Sequence, residues 1–406
     1  MKFAVPMFAR SLLLLAGVVL MPLACTGGDA ADSATPDSDL SARGKAEAAP
    51  PAAEGWISFR NGPQQLGRSA TRLPERLQLL WSHDLGESVV ATAAVDQGRV
   101  YVACLSGELT CFELRTGKKV WTYRSVDESE SFAPGFKAAP TVSADRVYVG
   151  DEDGRLHAVD RATGKAVWTF DTGAEIVSGV TVHNDRLLFG SHDHSLYCLK
   201  AVDGTVVWSF ETMGPVNCTP AVVEGHTFIS GCDEHLRVIN VETGKEVVDY
   251  PLETYLIASP AVDGSILYVG TYAAEIVAFD WKSKAVAWRY RDAAKDFPYH
   301  SSAAVTESLV IAGSQDKRLH AVDRKTGRPA WVFTTKGKVD SSPAVVGQRV
   351  FFGSRDGFVY EVDAATGKET WKYNTGPVEA GPAAGEGCLV IGSAGRSGTV
   401  YCFGAK

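Results

Sequence analysis

Five polar or ionisable side chains occupy one position of a repeat in this 406-residue chain: Lys137, Asn217, His300, Asp340 and Glu379. Each stands three residues before Pro343 or before its equivalent in another repeat. A histidine with two carboxylates could bind a metal ion or transfer protons. A hydrated rim, in which these charges pair with one another, is the alternative. The remaining three repeats carry apolar residues there: Val90, Val177 and Ile257.

A second group with the chemistry of metal ligands is His192-Asp193-His194, at a turn where other repeats have Asp-Gly. Such a group needs a third ligand from elsewhere, and aspartate is itself a common turn residue. We therefore predict no metal. The sequence shows no recognisable nucleophile–base pair or phosphate loop, and no adjacent or Cys-x-x-Cys cysteines. It therefore predicts no catalytic residue.

The elements that position these residues follow from a phrase that recurs about every 40 residues. One copy is Asp160-Arg161-Ala162-Thr163-Gly164-Lys165-Ala166-Val167-Trp168, and other copies end at Trp121, Trp208, Val248, Trp288, Trp331 and Trp371. Such a period indicates a repeat architecture. Between the copies lie short apolar or alternating runs separated by turn residues such as Asp-Gly, which predict antiparallel strands.

Four strands in each unit of this length indicate a β-propeller. The strand motif exemplified by Val350-Phe351-Phe352 occurs eight times, but the last unit ends at Phe403 without a fourth strand. Leu79 to Asp84 is a strand without a unit of its own. We therefore predict an all-β fold of eight four-stranded blades, closed by this N-terminal strand, which leaves no open sheet edge.

Two repeat positions predict how the blades pack. The residue four before Pro343 and its equivalents is always apolar or aromatic, which indicates contact between blades: Val89, Phe136, Ile176, Val216, Leu256, Tyr299, Val339 and Val378. The two residues before the proline position are always small, which suits the crowded innermost strands. The residue three before the proline is thereby expected to face the mouth of the central channel, a natural ligand site.

The N-terminus has the features of a secretion leader. Lys2 and Arg10 precede an apolar run that is too short for a typical transmembrane helix, and Leu23-Ala24-Cys25 follows. The sequence predicts a signal peptide over residues 1–24 and a lipid anchor at Cys25 with a disordered tether over residues 25–54. Secretion without lipid is the alternative. An ordered lead-in over residues 55–76 and the propeller over residues 77–406 complete the predicted domains.

Composition restricts the partners. The net charge of −8 argues against nucleic acid. Cys218 and Cys232 face each other across a predicted hairpin and are the best disulfide candidate. Two connections that emerge at the channel mouth are longer than the others, near residues 127–136 and 292–298. Their aromatic residues are predicted to form a protein interface: Phe132, Phe136, Phe297 and Tyr299.

The motifs Ser-Ser-Pro-Ala-Val, Val-Tyr-Val-Gly-Ser, Asp-Gly and Thr-Gly-Lys followed by Trp together resemble the pyrroloquinoline-quinone-type (PQQ-like) β-propeller repeat. The resemblance covers about 320 residues. That family includes quinone-dependent dehydrogenases, which resemble this chain only in the repeat. It also includes the outer-membrane assembly factor BamB, a lipoprotein scaffold. The dehydrogenases carry adjacent cysteines over the cofactor, and this sequence has none.

The resemblance to the scaffold branch implies a non-catalytic, monomeric lipoprotein without cofactors on the periplasmic side of the outer membrane. Its expected partners are envelope or outer-membrane proteins. Two alternatives remain. One is a dehydrogenase that binds PQQ and Ca²⁺ at the channel mouth, and the other is a ligand-binding or sensor propeller.

Overall fold

The computed structural model describes residues 54–126, 132–395 and 397–406. The predicted signal peptide, the lipidation site at Cys25 and nearly all of the tether lie outside the described residues. So do the first residues of the long connection near residues 127–136. No described residue belongs to a helix that could span a membrane.

Strands account for all of the regular structure in the described residues, and they form eight sheets. The strands of blades 1 to 4, in chain order, are Ala94–Asp96, Arg99–Ala103, Glu108–Glu113 and Lys119–Arg124; Thr141–Val142, Arg146–Gly150, Arg155–Asp160 and Ala166–Asp171; Thr181–His183, Arg186–Gly190, Ser195–Lys200 and Val206–Glu211; Ala221–Val223, His226–Ser230, His235–Asn240 and Glu246–Pro251.

Blades 5 to 8 repeat this arrangement. Their strands are Ala261–Asp263, Ile266–Gly270, Glu275–Asp280 and Ala285–Arg291; Ala304–Val305, Leu309–Ser314, Arg318–Asp323 and Pro329–Thr334; Ala344–Val346, Arg349–Gly353, Phe358–Asp363 and Glu369–Asn374; Ala383–Gly385, Cys388–Gly392, Thr399–Gly404 and, from the N-terminal end, Gln78–Asp84. Within each blade the neighbouring strands are antiparallel, and the first strand is the innermost. The predicted eight-bladed architecture is confirmed.

The recurring Thr-Gly phrase forms the turn between the third and fourth strands. Asp363 Oδ1 accepts hydrogen bonds from the Thr366 backbone nitrogen at 2.9 Å and from its hydroxyl at 2.7 Å. The threonine hydroxyl and backbone bonds lower the pKa of the Asp363 carboxyl. Gly367 then adopts a φ of 68°, a conformation that glycine tolerates best. The phrase is therefore a self-contained turn, which explains its recurrence.

The tryptophan of each phrase connects its blade to the next. The indole of Trp121 lies over Gly164 of the following blade, and its ring nitrogen donates to Arg161 O at 3.1 Å. Blade 4 has Val248 in place of the tryptophan, and the next turn has Lys284 in place of the glycine. There Trp281 is buried and packs edge-on against Phe228 of blade 4. Packing between blades therefore determines this part of the repeat.

The N-terminal strand closes the ring as predicted. Strand Gln78–Asp84 pairs antiparallel with Thr399–Gly404, with Trp81 opposite Cys402. The Trp81 ring nitrogen donates to Leu114 O of blade 1 at 2.8 Å. One strand from the beginning of the propeller thus joins its last blade to its first, and the outermost edge of blade 8 is completed.

The lead-in crosses the channel at the end opposite the connections that precede each first strand. We call residues 54–71 the strap. Backbone or side-chain hydrogen bonds join the strap to all eight blades, through Val95, Val142, Thr181, Val222, Val262, Val305, Val345 and Gly387. Strap residues Arg68–Ser69 also pair parallel with strand Ala344–Val346. Backbone N–H groups on the innermost strands need acceptors because they are buried, and the strap supplies them.

Candidate functional site

The channel contains a cavity of about 360 Å³ that all eight blades line. All eight side chains at the predicted rim position lie on its wall: Val90, Lys137, Val177, Asn217, Ile257, His300, Asp340 and Glu379. Phe59 of the strap also lines it, and the innermost small residues form its narrower part. The cavity is large enough for a small molecule. The ligand-binding role of these residues stays a prediction.

Lys137 is held between two carboxylates. Its Nζ lies 2.7 Å from Glu152 Oε1 and 2.7 Å from Glu175 Oε1. Hydrogen bonds from the lysine to Glu152 and Glu175 raise the pKa of its ammonium group. Lys137 is therefore a protonated hydrogen-bond donor that two glutamates hold at the rim, and it is not available as a base.

Asp340 and Glu379 come together through an arginine that the sequence did not reveal, and His300 lies beside Asp340 through Gln315. Arg355 Nε lies 2.6 Å from Asp340 Oδ2, and its Nη2 lies 3.3 Å from Glu379 Oε1. Gln315 Nε2 lies 2.8 Å from His300 Nδ1, whereas His300 Nδ1 and Asp340 Oδ1 are 3.8 Å apart. The guanidinium thus neutralises both carboxylates that a metal would require.

Burial lowers the pKa of His300 below its ordinary value, with Lys338 and Arg355 acting in the same direction and Asp340 opposing them. His300 therefore takes up its proton at a higher pH in the unfolded chain than in the folded protein. As the pH falls below about 6.5, this group lowers the free energy of unfolding. We expect His300→Gln to lose less stability than the wild type between about pH 7.5 and about pH 5.5. Urea midpoints at the two pH values measure this.

The exposed His194→Gln variant is the control for that measurement, because His194 lies on the same face without facing the cavity. It is expected to follow the wild type at both pH values. An equal pH response in His300→Gln and in the wild type would show that His300 is not the group concerned.

Asn217 connects two further blades. His192 Nε2 contacts Asn217 Oδ1, and Asn217 Nδ2 donates to Cys232 Sγ at 2.8 Å. Asp193 instead accepts a hydrogen bond from the Tyr197 hydroxyl and caps its own turn. His192-Asp193-His194 is therefore a turn in which one histidine, His192, contacts the rim residue Asn217.

The seven described cysteines are free thiols, so Cys218 and Cys232, the best disulfide candidate of the sequence, are not paired. Cys218 is buried, and its Sγ accepts a hydrogen bond from the Ser230 nitrogen at 3.2 Å. Cys232 is directed to the rim through its contact with Asn217. The two thiols therefore differ in burial and have different hydrogen-bond partners.

A second ring of side chains surrounds the rim, and sequence reasoning missed it. Its members are the second residues of the turns between the second and third strands, and six of them contact rim residues: Glu152, His192, Cys232, Tyr272, Gln315 and Arg355. A signal was available, because this turn position varies widely in charge and size from repeat to repeat, whereas the residue after it is an aspartate in five repeats.

Two of the four predicted interface aromatics are exposed and two are buried. Phe132 is 75% exposed and Phe297 is 47% exposed. Phe136 and Tyr299 are buried, so their prediction as interface residues is wrong. Phe136 packs edge-on against His157, and Tyr299 packs edge-on against His320. Both occupy the position four before the proline slot, where packing between blades requires an inward side chain.

The structure reveals a different exposed apolar group beside the cavity, which we call the aromatic sector: Tyr255, Ile257 and Tyr272. The two tyrosines are 51% and 50% exposed, and Ile257 is 36% exposed. The tyrosine rings meet edge to face, with 6.3 Å between their centroids. Tyr272 in turn lies 5.7 Å from the His300 ring. Large apolar side chains in such a position are typical of binding surfaces.

One group of side chains with metal-ligand chemistry lies between blades 5 and 6, outside the cavity: Asp292, Asp316 and His320. Arg318 Nη1 donates to Asp292 Oδ2 at 2.7 Å, and His320 Nε2 lies 3.1 Å from Asp316 Oδ2. Equivalent aspartates in blades 3 and 7 bond to tyrosines on the third strand. The group therefore follows a structural pattern of the blades.

Comparison with known families gives two matches. The family described as "Beta-alanine-activating enzyme, beta-propeller" matches residues 138–406. The family described as "Outer membrane protein assembly factor BamB" matches residues 74–178. Comparison with curated protein sequences finds no significant match.

Solved structures share the fold at low identity. BamB from Moraxella catarrhalis is 18% identical, with a TM-score of 0.68 over 81% of this chain and 100% of that chain. Quinohemoprotein alcohol dehydrogenase from Comamonas testosteroni is 16% identical, with a TM-score of 0.75 over 87% and 81%. The computationally designed Ika8 protein is 15% identical, with a TM-score of 0.69 over 80% and 99%.

Such different proteins at similar TM-scores show that this likeness concerns the fold alone. The family match is more specific, because it covers most of the chain and coincides with the repeat that builds blades 2 to 8. This chain therefore belongs to the family described as "Beta-alanine-activating enzyme, beta-propeller", and the predicted PQQ-like propeller is confirmed.

Proposed function

We propose that this chain is a non-catalytic, partner-binding β-propeller of the cell envelope, and that its partners are proteins that bind at the channel mouth. The observation that supports this most directly is the aromatic sector. Tyr255, Ile257 and Tyr272 are exposed together at the edge of the cavity. Tyrosine supplies a large contact area at a low entropic cost and is enriched at protein interfaces.

The chemistry of the rim supports a binding role over a catalytic one. Lys137 is bound by two glutamates, and Asp340 and Glu379 are both bound by Arg355. A general base or nucleophile needs a free position towards its substrate. Groups that are paired with one another instead form a fixed pattern of charge, which suits recognition.

The dehydrogenase alternative requires a site for Ca²⁺ and a quinone. Calcium prefers several carboxylate and carbonyl oxygens. The two carboxylates at the rim are occupied by the guanidinium of Arg355, with Nε 2.6 Å from Asp340 Oδ2. The residues present therefore do not fit this cofactor pair, and we propose no cofactor.

The location in the envelope is proposed from the predicted anchor and from the family match to BamB over residues 74–178. The strap adds a geometric argument. Glu54 O accepts a hydrogen bond from Glu386, which lies in the turn after the innermost strand of blade 8. That turn is on the face opposite the mouth. The strap therefore begins on that opposite face and leaves the mouth of the propeller uncovered.

Site-specific photo-crosslinking tests the proposal. A photoreactive amino acid at position 272 is expected to capture discrete envelope proteins from intact cells. The same group at Val202 is the control, because Val202 is 73% exposed but lies in a turn on the opposite face. Capture from position 202 but not from position 272 would contradict the proposed face. Reduction of an artificial dye by purified protein with quinone and Ca²⁺ would contradict the non-catalytic role.

A further inference from the structure

We propose that the inner end of the channel binds the oxyanion group of a small ligand, such as a carboxylate, with hydroxyl groups of the innermost strands as donors. This site lies deeper than the mouth and does not depend on the proposed protein partners. Four features carry the inference: a ring of hydroxyls, one buried hydroxyl without a partner, a buried arginine without a counter-charge, and a cavity of suitable size.

The ring of hydroxyls is built by the residues that directly precede the proline slot. Gly179 N donates to Thr219 Oγ1 at 2.9 Å, and Thr219 N donates to Ser259 Oγ at 2.8 Å. Ser259 N then donates to Ser302 Oγ at 2.9 Å, and Ser302 N to Ser342 Oγ at 2.9 Å. Each hydroxyl oxygen thus accepts a bond from the blade before it.

Accepting these bonds leaves the hydroxyl protons free to donate. A serine or threonine hydroxyl has one proton in addition to its acceptor positions. No atom of the described residues accepts from Thr219, Ser259, Ser302 or Ser342, although all four line the cavity. Several donors without acceptors therefore converge on one space, as at sites that bind oxygen anions.

Thr92 extends this ring on the other side of the channel. Its side chain is buried, it lines the cavity, and its Oγ1 has no hydrogen-bond partner among the described residues. A buried hydroxyl without a partner is unfavourable, because it has lost its hydrogen bonds to water. A ligand oxygen in the cavity would provide the missing acceptor.

Arg60 of the strap places a positive charge beside the residues that line the cavity, although it does not itself line it. It is fully buried, follows the cavity-lining Phe59, and donates from Nη2 to Pro343 O at 2.6 Å. Its Nε and Nη1 have no partner in the described chain, where no carboxylate forms an ion pair with it. Burial lowers the pKa of Arg60 to about 9, so the guanidinium is still charged at neutral pH.

An uncompensated buried cation is unfavourable, and an anion in the adjoining cavity would offset its charge. Pro343, which Arg60 contacts, directly follows the cavity-lining Ser342. The cavity volume of about 360 Å³ is sufficient for a small molecule but too small for a protein segment with long side chains. Hydroxyl donors with nearby positive charge favour an oxyanion over a neutral ligand of the same shape.

The test is calorimetric titration of the purified protein with acetate, succinate and inorganic phosphate, and with acetamide and succinamide as neutral counterparts. At least one oxyanion is expected to bind with one-to-one stoichiometry, and its neutral counterpart is expected to bind more weakly. Thr92→Val should weaken the oxyanion about tenfold or more, because a hydrogen bond to a charged group is lost.

Thr227→Val is the matched control. Thr227 is also buried with an unpartnered hydroxyl, but it lies on the second strand of blade 4 and does not line the cavity. This variant should bind like the wild type. Arg60→Met provides a second reading, since it should abolish the preference for the charged ligand. The proposal is overturned if no oxyanion binds, or if both threonine variants bind equally well.

Discussion

Replacing Tyr255 and Tyr272 together by alanine is expected to abolish capture of protein partners by the purified propeller. Truncating one central interface tyrosine commonly costs about 2 kcal/mol of binding free energy, so losing both costs about 4 kcal/mol, which corresponds to roughly a thousandfold weaker binding. The thermal unfolding midpoint should stay close to that of the wild type, because both side chains are about half exposed. Pull-down from envelope extracts and a thermal scan measure the two effects.

Val202→Ala is the matched control for the double variant, since it removes an exposed apolar side chain from the opposite face. It should retain every partner. If the double tyrosine variant retained the partners and Val202→Ala lost them, the binding surface would lie on the face opposite the mouth. That outcome would contradict the proposal. Shortening the connection of residues 292–298 further tests whether Phe297 contributes, because this side chain is exposed on the mouth face.

Gly164→Ala is expected to be the most destabilising single substitution proposed for the propeller. The residue has a φ of 72°, and an added Cβ would lie 2.6 Å from Trp121 Cδ2. The unfavourable backbone conformation costs about 1–2 kcal/mol. Displacement of the indole and loss of its 3.1 Å hydrogen bond to Arg161 O add about as much again. A total loss of about 3 kcal/mol in the free energy of unfolding is expected, measured by urea denaturation.

Gly173→Ala separates the two contributions. Gly173 has a φ of 82°, but an added Cβ would meet no atom within 4 Å. This variant should lose only the conformational part, about 1–2 kcal/mol. Equal losses in the two glycine variants would show that the contact between blades contributes nothing, and would contradict the role assigned to the tryptophan.

Much of the fold could be predicted because each blade repeats the same local sequence pattern. Thr366 and Gly367 form their turn with Asp363 in the same blade, so the spacing of the phrase reports directly on strand order. The count of eight and the closing strand followed from the same period. The rim residues could also be placed, because residues before each first strand must surround the axis.

The partners of the rim residues could not be predicted, since no local pattern specifies them. Arg355 pairs with both Asp340 and Glu379, so these carboxylates are no longer available as metal ligands. It lies in a turn for which the sequence predicted no role. Phe136 and Tyr299 were interpreted from their loops as exposed. Their repeat position, which requires packing between blades, was the stronger signal, and the structure buries both.

The sequence by itself therefore determined the blades, their number, their closure and which positions face the axis, because these depend on interactions within one period. The tertiary structure alone decided which charges pair, where the aromatic sector is exposed and how the strap closes the channel. Those features arise where the turns and connections of a blade come together with those of its neighbours and with the strap, at side chains that the repeat itself does not specify. In the assembled channel, Thr92 and Arg60 have side-chain groups without hydrogen-bond partners. The inner site proposed for an oxyanion rests on these groups.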